Sequence, residues 1–232
     1  MAPGDPQPRR FIIAIDGPSG AGKSTLAKRV AKELGFTYLD TGAMYRAIAL
    51  KVLKEGIDLR SLERLQDLVN RTSIDLVDCD GSPRVYLDGV DVTDAIRDPE
   101  VSQMASKASA LKVVRDKMLE LQRAIGARGG LVAEGRDIGT VVFPEAEVKI
   151  YLDASVGERA RRRFLELRAA GRDVDFESTV REIEERDRRD SERDLAPLRR
   201  AQDAVAIDSS TLSAAEVAER VMRIVRAKLS EN

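Results

Sequence analysis

Phe11-Ile12-Ile13-Ala14-Ile15-Asp16-Gly17-Pro18-Ser19-Gly20-Ala21-Gly22-Lys23-Ser24-Thr25 is the stretch from which the rest of the chain can be read. Its apolar opening is short and rich in isoleucine, the signature of a strand covered on both faces. The residues from Gly17 to Ser24 then satisfy G-x-x-x-x-G-K-[ST]. Glycines let the backbone curl so that its amides face an anion, Lys23 reaches terminal phosphates, and the Ser24 hydroxyl can meet Mg²⁺. Leu26, Val30 and Leu34 continue as a helical stripe ending at Gly35, a C-terminal cap. A strand, a glycine loop and a helix in that order predict a bound nucleoside triphosphate, held by Gly17, Pro18, Ser19, Gly20, Ala21, Gly22, Lys23, Ser24 and Thr25, with Ser24 as the metal-facing residue.

Further apolar runs at 37–39, 131–133, 148–152 and 204–207 alternate with helical patterns. Together with 11–15 they predict a five-stranded parallel α/β sheet with helices on both faces. Each run is followed by a carboxylate: Asp16, Asp40, Glu134, Asp153 and Asp208. That edge is where open α/β sheets bind ligands, so the set reads as a polar rim; strand-ending and helix-capping roles remain the alternative for each residue. Between Ile74 and Val92, apolar alternation broken by Asp80-Gly81 and Asp88-Gly89 reads as a small antiparallel insert, extending over 74–98. Ser213 and Glu216 form a capping box ahead of the stripe Val217, Val221, Ile224 and Val225, a packing helix. Residues 1–10, with three prolines, read as a mobile tail, and 11–232 as a single domain.

Composition removes several chemistries. The 232 residues carry 39 Lys and Arg against 40 Asp and Glu, so nothing in the overall charge favours nucleic acid or an anionic membrane. Histidine is absent, which excludes Ser-His-Asp and Cys-His catalysis and His-ligated zinc. One cysteine, no long apolar run and no apolar signal core near the start point to the cytoplasm, and a monomer is the simplest assembly.

The acceptor has to be inferred from a second anion site. Thr41 and Arg46 follow the second strand, and Glu134-Gly135-Arg136-Asp137 closes the third. Two arginines from separate strand ends make a clamp for a second phosphate. Residues 158–200 hold 13 Arg and 12 Asp or Glu, mostly a solvated face with ion pairs one turn apart. Within them an inward stripe of Phe176, Val180 and Ile183 continues to Arg186, Asp190 and Arg193, charges that must meet a ligand or each other. A phosphate acceptor also accounts for the missing histidine: its second pKa is near 6, so at pH 7 it needs no general base. Lys23, Arg136 and Arg186 are then the catalytic candidates.

Gly17 to Thr25, Tyr38 to Arg46, Glu134 to Pro144 and Arg186-Asp187-Arg188-Arg189-Asp190 together resemble bacterial cytidylate kinases, over roughly Phe11 to the C-terminus. The resemblance implies transfer of the ATP γ-phosphate to CMP or dCMP with Mg²⁺. It implies that Thr41, Arg46 and Arg136 handle the acceptor's phosphate and nearby sugar, that Ser106, Arg115 and Asp137 meet the cytosine edge, and that Arg186, Asp190 and Arg193 meet ribose, phosphate or base. The 74–98 insert is similar to the family's acceptor-binding insert, and about 155–175 to a helical lid whose acting arginine the spacing does not single out. Two rivals stay open: another small-molecule kinase, of UMP or shikimate type, and a non-catalytic nucleotide switch, which would leave the acceptor arginines without a purpose.

Overall fold

The computed structural model describes residues 11–79 and 82–231; the 1–10 tail and the Asp80-Gly81 turn lie outside the described residues. Strands β1 (Ile12–Asp16), β2 (Thr37–Asp40), β6 (Leu131–Gly135), β7 (Val148–Asp153) and β8 (Val205–Asp208) form one parallel sheet in the order β2-β6-β1-β7-β8. The strand feeding the glycine loop is thus central, hydrogen-bonded on both sides. The strands run at least to the carboxylates expected just beyond them, because the ladder continues through Asp16↔Gly135, Asp40↔Glu134 and Asp153↔Asp208.

On one face Ile13, Ile15, Val132 and Ile150 pack against Leu26 and Val30 of α1 (Lys23–Leu34) and Val217, Val221 and Val225 of α8 (Ala214–Ser230). On the other, Ala14, Leu39 and Ala133 pack against Met44 and Ile48 of α2 (Thr41–Lys54), Leu65 and Leu68 of α3 (Leu62–Asn70), and Val114 and Met118 of α5 (Lys112–Gly126). Each buried aliphatic side chain contributes about 1.5–3 kcal/mol, so both faces are held strongly and the sheet edge between them is a fixed platform. Ser213 caps α8 through the expected reciprocal bonds with Glu216, and Gly35 ends α1 at φ 67°.

The insert is the three-stranded antiparallel sheet β3 (Ile74–Cys79), β4 (Ser82–Leu87) and β5 (Val90–Asp91). Asp88 and Gly89, both at positive φ, make the two-residue turn between β4 and β5. Val85 and Leu87 pack with Ala47 and Leu50 of α2 and with Val101 and Ala105 of α4 (Pro99–Ala108), so the insert rests on the helix that follows β2.

The arginine-rich segment forms α6 (Val156–Ala169) and α7 (Phe176–Glu192). The expected surface pairs are there, among them Arg161 and Arg162 with Glu158 and Arg189 with Glu185. The inward stripe needs one correction. Phe176, expected inside, is 41% exposed and meets Phe164 edge-on at 5.8 Å, because at the first turn of α7 its neighbour is α6 and not the core. The helix also stops at Glu192, and Arg193 follows in extended conformation with its side chain still turned inward.

Candidate active site

The glycine loop is shaped for an anion. Gly17, Gly20 and Gly22 all have positive φ. A Cβ on Gly17 would fall 1.9 Å from the Leu152 carbonyl oxygen, so no other residue fits there. No side chain caps α1, which leaves its first amides directed at the loop. Lys23 Nζ donates to the Pro18 carbonyl at 2.7 Å. Burial, then the Arg136 charge, pushes its pKa down to about 7, the state of an ammonium lacking its phosphate.

Facing the loop across the cleft are the arginines of the strand ends and of α7. Arg46 donates to Asp40, the N-cap of α2, at 3.1 Å. Thr41 Oγ1 donates to the Glu134 carbonyl at 2.7 Å, tying β2 to β6. Arg136 Nε donates to Asp190 Oδ2 at 2.8 Å, and Ser106 to the other oxygen of that carboxylate at 3.3 Å. Burial alone would raise Asp190; the charges of Arg136 and Arg186 outweigh it and hold the group below the usual carboxylate range. Arg193 lies 3.5 Å from Asp137 and donates to Ser109 Oγ at 3.1 Å and to the Ala196 carbonyl at 2.8 Å.

Arg186 stands apart. Its Nε is buried with no hydrogen-bond partner, and burial followed by the neighbouring Arg136 charge pushes its pKa down to about 10. The carboxylate it feels, Asp190, is already hydrogen-bonded to Arg136, so a second guanidinium placed there is costly unless an anion arrives. The arrangement therefore presents surplus positive charge opposite the phosphate loop, which is what a second phosphate requires.

These groups share one cleft of about 660 Å³. Ser19, Gly20, Gly22, Lys23, Ser24 and Thr25 line it from the loop, and Thr41, Arg46, Ser106, Arg136, Asp137, Arg186, Asp190 and Arg193 line the rest. Arg115 does not line it. Arg115 pairs with Asp137 from behind and donates to the Ser109 carbonyl, so it sets the Asp137 carboxyl in place. Gly17 and Pro18 support the loop from beneath, and Ala21 lines a neighbouring cavity of about 280 Å³ with Thr25, Arg161, Arg162, Ser209 and Leu212.

Several contributors were read from the sequence only as members of a set, the carboxylate rim or the lid. Asp16 accepts from the amides of Ile138 and Gly139 at 2.8 and 2.7 Å, pinning the wide helical turn Ile138–Val142 behind the cleft; burial pushes its pKa up to about 6 despite those bonds. The Glu134 carboxyl accepts from Tyr38 at 2.5 Å and is raised by burial, while the Lys23 charge and the Tyr38 and Ser24 hydroxyls favour its ionised form. Arg162 reaches from α6 to the carbonyls of Ala21 and Ser209, and Arg163 lines the cleft. The carboxylate rim was a usable signal for Asp16 and Glu134; one arginine among many gave none.

A family model described as cytidylate kinase matches residues 13–227. The chain belongs to the cytidylate kinase family. The cytidylate kinase of Geobacter sulfurreducens is 52% identical over 218 residues, covering 94% of each chain. That of Syntrophotalea carbinolica is 51% identical over 217 residues, covering 94% of this chain and 92% of its own, and that of Bacillus subtilis 48% identical over 220, covering 95% and 98%. Among solved structures, an uncharacterized protein from Eubacterium ventriosum shares the fold at a TM-score of 0.51 and 12% identity, over 93% of this chain and 98% of its own. Membership of the cytidylate kinase family, and the paired anion sites in one cleft, converge on the same chemistry.

Proposed function

We propose that the chain transfers the γ-phosphate of ATP to CMP or dCMP, giving ADP and CDP or dCDP. The observation that carries the reading is Arg186, whose buried Nε has no partner and which lines the same cleft as Arg136 and the phosphate loop. The acceptor's phosphate oxygen is anionic at pH 7 and attacks Pγ directly. As that bond forms, the bond from Pγ to the β–γ bridging oxygen breaks and ADP leaves. The protein's task is to hold the two anions in line and neutralise the charge between them. Lys23, Arg136 and Arg186 do so, with the loop amides on the donor side.

Thr41, Arg46 and Arg136 take the acceptor's phosphate and adjacent sugar. Ser106 and Asp137 face the cytosine edge, Arg115 steadies Asp137, and Asp190 and Arg193 complete the ribose and base contacts. The 280 Å³ cavity beside the loop suits the base end of ATP. Within the 11–232 domain, 74–98 serves the acceptor and about 155–175 is the lid that brings Arg162 and Arg163 over the phosphates. Mg²⁺ fits the donor set: the Ser24 hydroxyl beside the Glu134 carboxyl offers hard oxygens. Among the described residues no cluster of three or more metal-binding side chains exists, so phosphates and water would supply the other ligands. Held there, Mg²⁺ would supply neutralising charge to the phosphates of ATP.

Both anion sites come from one chain, which supports a functional monomer. No described helix is long and apolar enough to cross a membrane, and we read the protein as cytoplasmic. The test is ADP formation from ATP and Mg²⁺ with no acceptor and with CMP, dCMP, UMP, AMP, GMP and shikimate in parallel. Turnover with CMP and dCMP far above the rest is expected; equal turnover without acceptor would overturn the reading.

A further inference from the structure

Arg159 sits in the first turn of α6, two residues before the exposed Arg161, yet it is only 4% exposed. Its guanidinium spans three separate elements. Nη1 donates to the Ser19 carbonyl in the phosphate loop at 3.1 Å and to Asp187 Oδ2 on α7 at 2.5 Å, while Nε donates to the Ala154 carbonyl just past β7 at 2.9 Å. The loop leaves no slack at this point, since a Cβ on Gly20 would come within 3.0 Å of the Arg159 Cβ. Asp187 follows Arg186 and precedes Asp190 by one turn, so whatever holds Asp187 also sets the height of the acceptor helix. Its second oxygen, Oδ1, is buried with no partner. Neither residue lines the cleft.

A buried ion pair is a poor means of stabilising a fold, since apolar residues of like volume often do as well or better. It is a good means of fixing register, because its donors and acceptors admit one geometry. In-line transfer needs the reacting atoms about 3–3.5 Å apart, and about 1 Å of misplacement costs around 100-fold in rate. Resting on the phosphoryl-transfer reading above, we propose that Arg159 and Asp187 are a positioning pair that sets the spacing between the donor loop and the acceptor arginine on α7, and so acts on the transfer step without touching either substrate.

The test is a double-mutant cycle of Asp187→Asn and Arg159→Met, read by kcat, by KM for CMP and by ATP affinity, with Val225→Ala on α8 as a core variant remote in role. Wild-type turnover with CMP is measured first in the same assay, so a failure of the functional reading is seen apart from a failure of the pair. Asp187→Asn keeps shape and is expected to lower kcat about 10- to 100-fold with KM and ATP affinity within about threefold. The double variant should be no slower than the slower single, as for groups acting together. Val225→Ala should lose thermal stability with kcat retained. Should Arg159→Met not fold, Asp187→Asn decides alone. A kcat within threefold of wild type, or a rise in KM without loss of kcat, overturns the proposal.

Discussion

Arg136→Ala separates the two halves of the cleft. Arg136 is held by Asp190 at 2.8 Å, with side chains 17% and 5% exposed. Breaking a buried pair costs about 3–5 kcal/mol. Asp190 keeps the Ser106 hydrogen bond and the Arg186 charge, which puts the loss near the lower end, about 3 kcal/mol. At about 2–4 °C per kcal/mol for a chain of this size, Tm should fall by about 6–12 °C. Loss of one donor aimed at developing charge costs about 10²–10³ in rate, so kcat/KM for CMP should fall by about that much. ATP affinity should move the other way or not at all, because Arg136 is the charge that, after burial, depresses Lys23 most. Steady-state kinetics with CMP and calorimetric titration with an ATP analogue measure the two effects in one preparation held well below its Tm. A loss of ATP affinity as large as the loss of kcat/KM would refute the separation into donor and acceptor roles.

Other outcomes follow from the same geometry. Burial and the Arg136 charge push the Lys23 pKa down to about 7 and a neighbouring phosphate would raise it, so binding ATP takes up a proton at and just above that pH. ATP affinity should therefore decline as pH rises above 7, and calorimetry in buffers of different ionisation enthalpy should register the proton. Arg186→Met removes a cation whose buried Nε has no partner but whose charge helps keep Asp190 ionised, so turnover should drop by about 100-fold or more while Tm changes little. Ser213→Ala breaks the reciprocal cap of α8 and should cost about 1 kcal/mol, near 2–4 °C in Tm, with kcat unchanged.

Those parts of the fold that depend on continuous local pattern were legible in the chain. Parallel strands buried on both faces leave short unbroken apolar runs, so β1, β2, β6, β7 and β8 were each foreseen, short by a residue or two at the end because the sheet extends its ladder through the carboxylates. The loop from Gly17 to Ser24 was legible because backbone curvature demands glycine at fixed places. What failed depends on a neighbour from elsewhere in the chain. Phe176 has the right helical phase for the core, yet α6 stands where the core was expected. Arg115 belongs with the site but behind it, a distinction made only by Asp137 approaching from β6. Arg159 and Arg161 look alike in sequence, and only the loop passing over the first turn of α6 buries one of them.

The central place of β1 bears on how this molecule would come apart. Its amides are shielded by two neighbouring strands and by helices above and below, so hydrogen exchange there waits for the whole domain to open. The small sheet that we propose serves the acceptor ends in β5, two exposed residues joined to β4 by a tight turn, and should open before the rest. Under mild heat or denaturant the protein should forget its acceptor while still gripping the triphosphate, failing in two stages with the loop on β1 last to go.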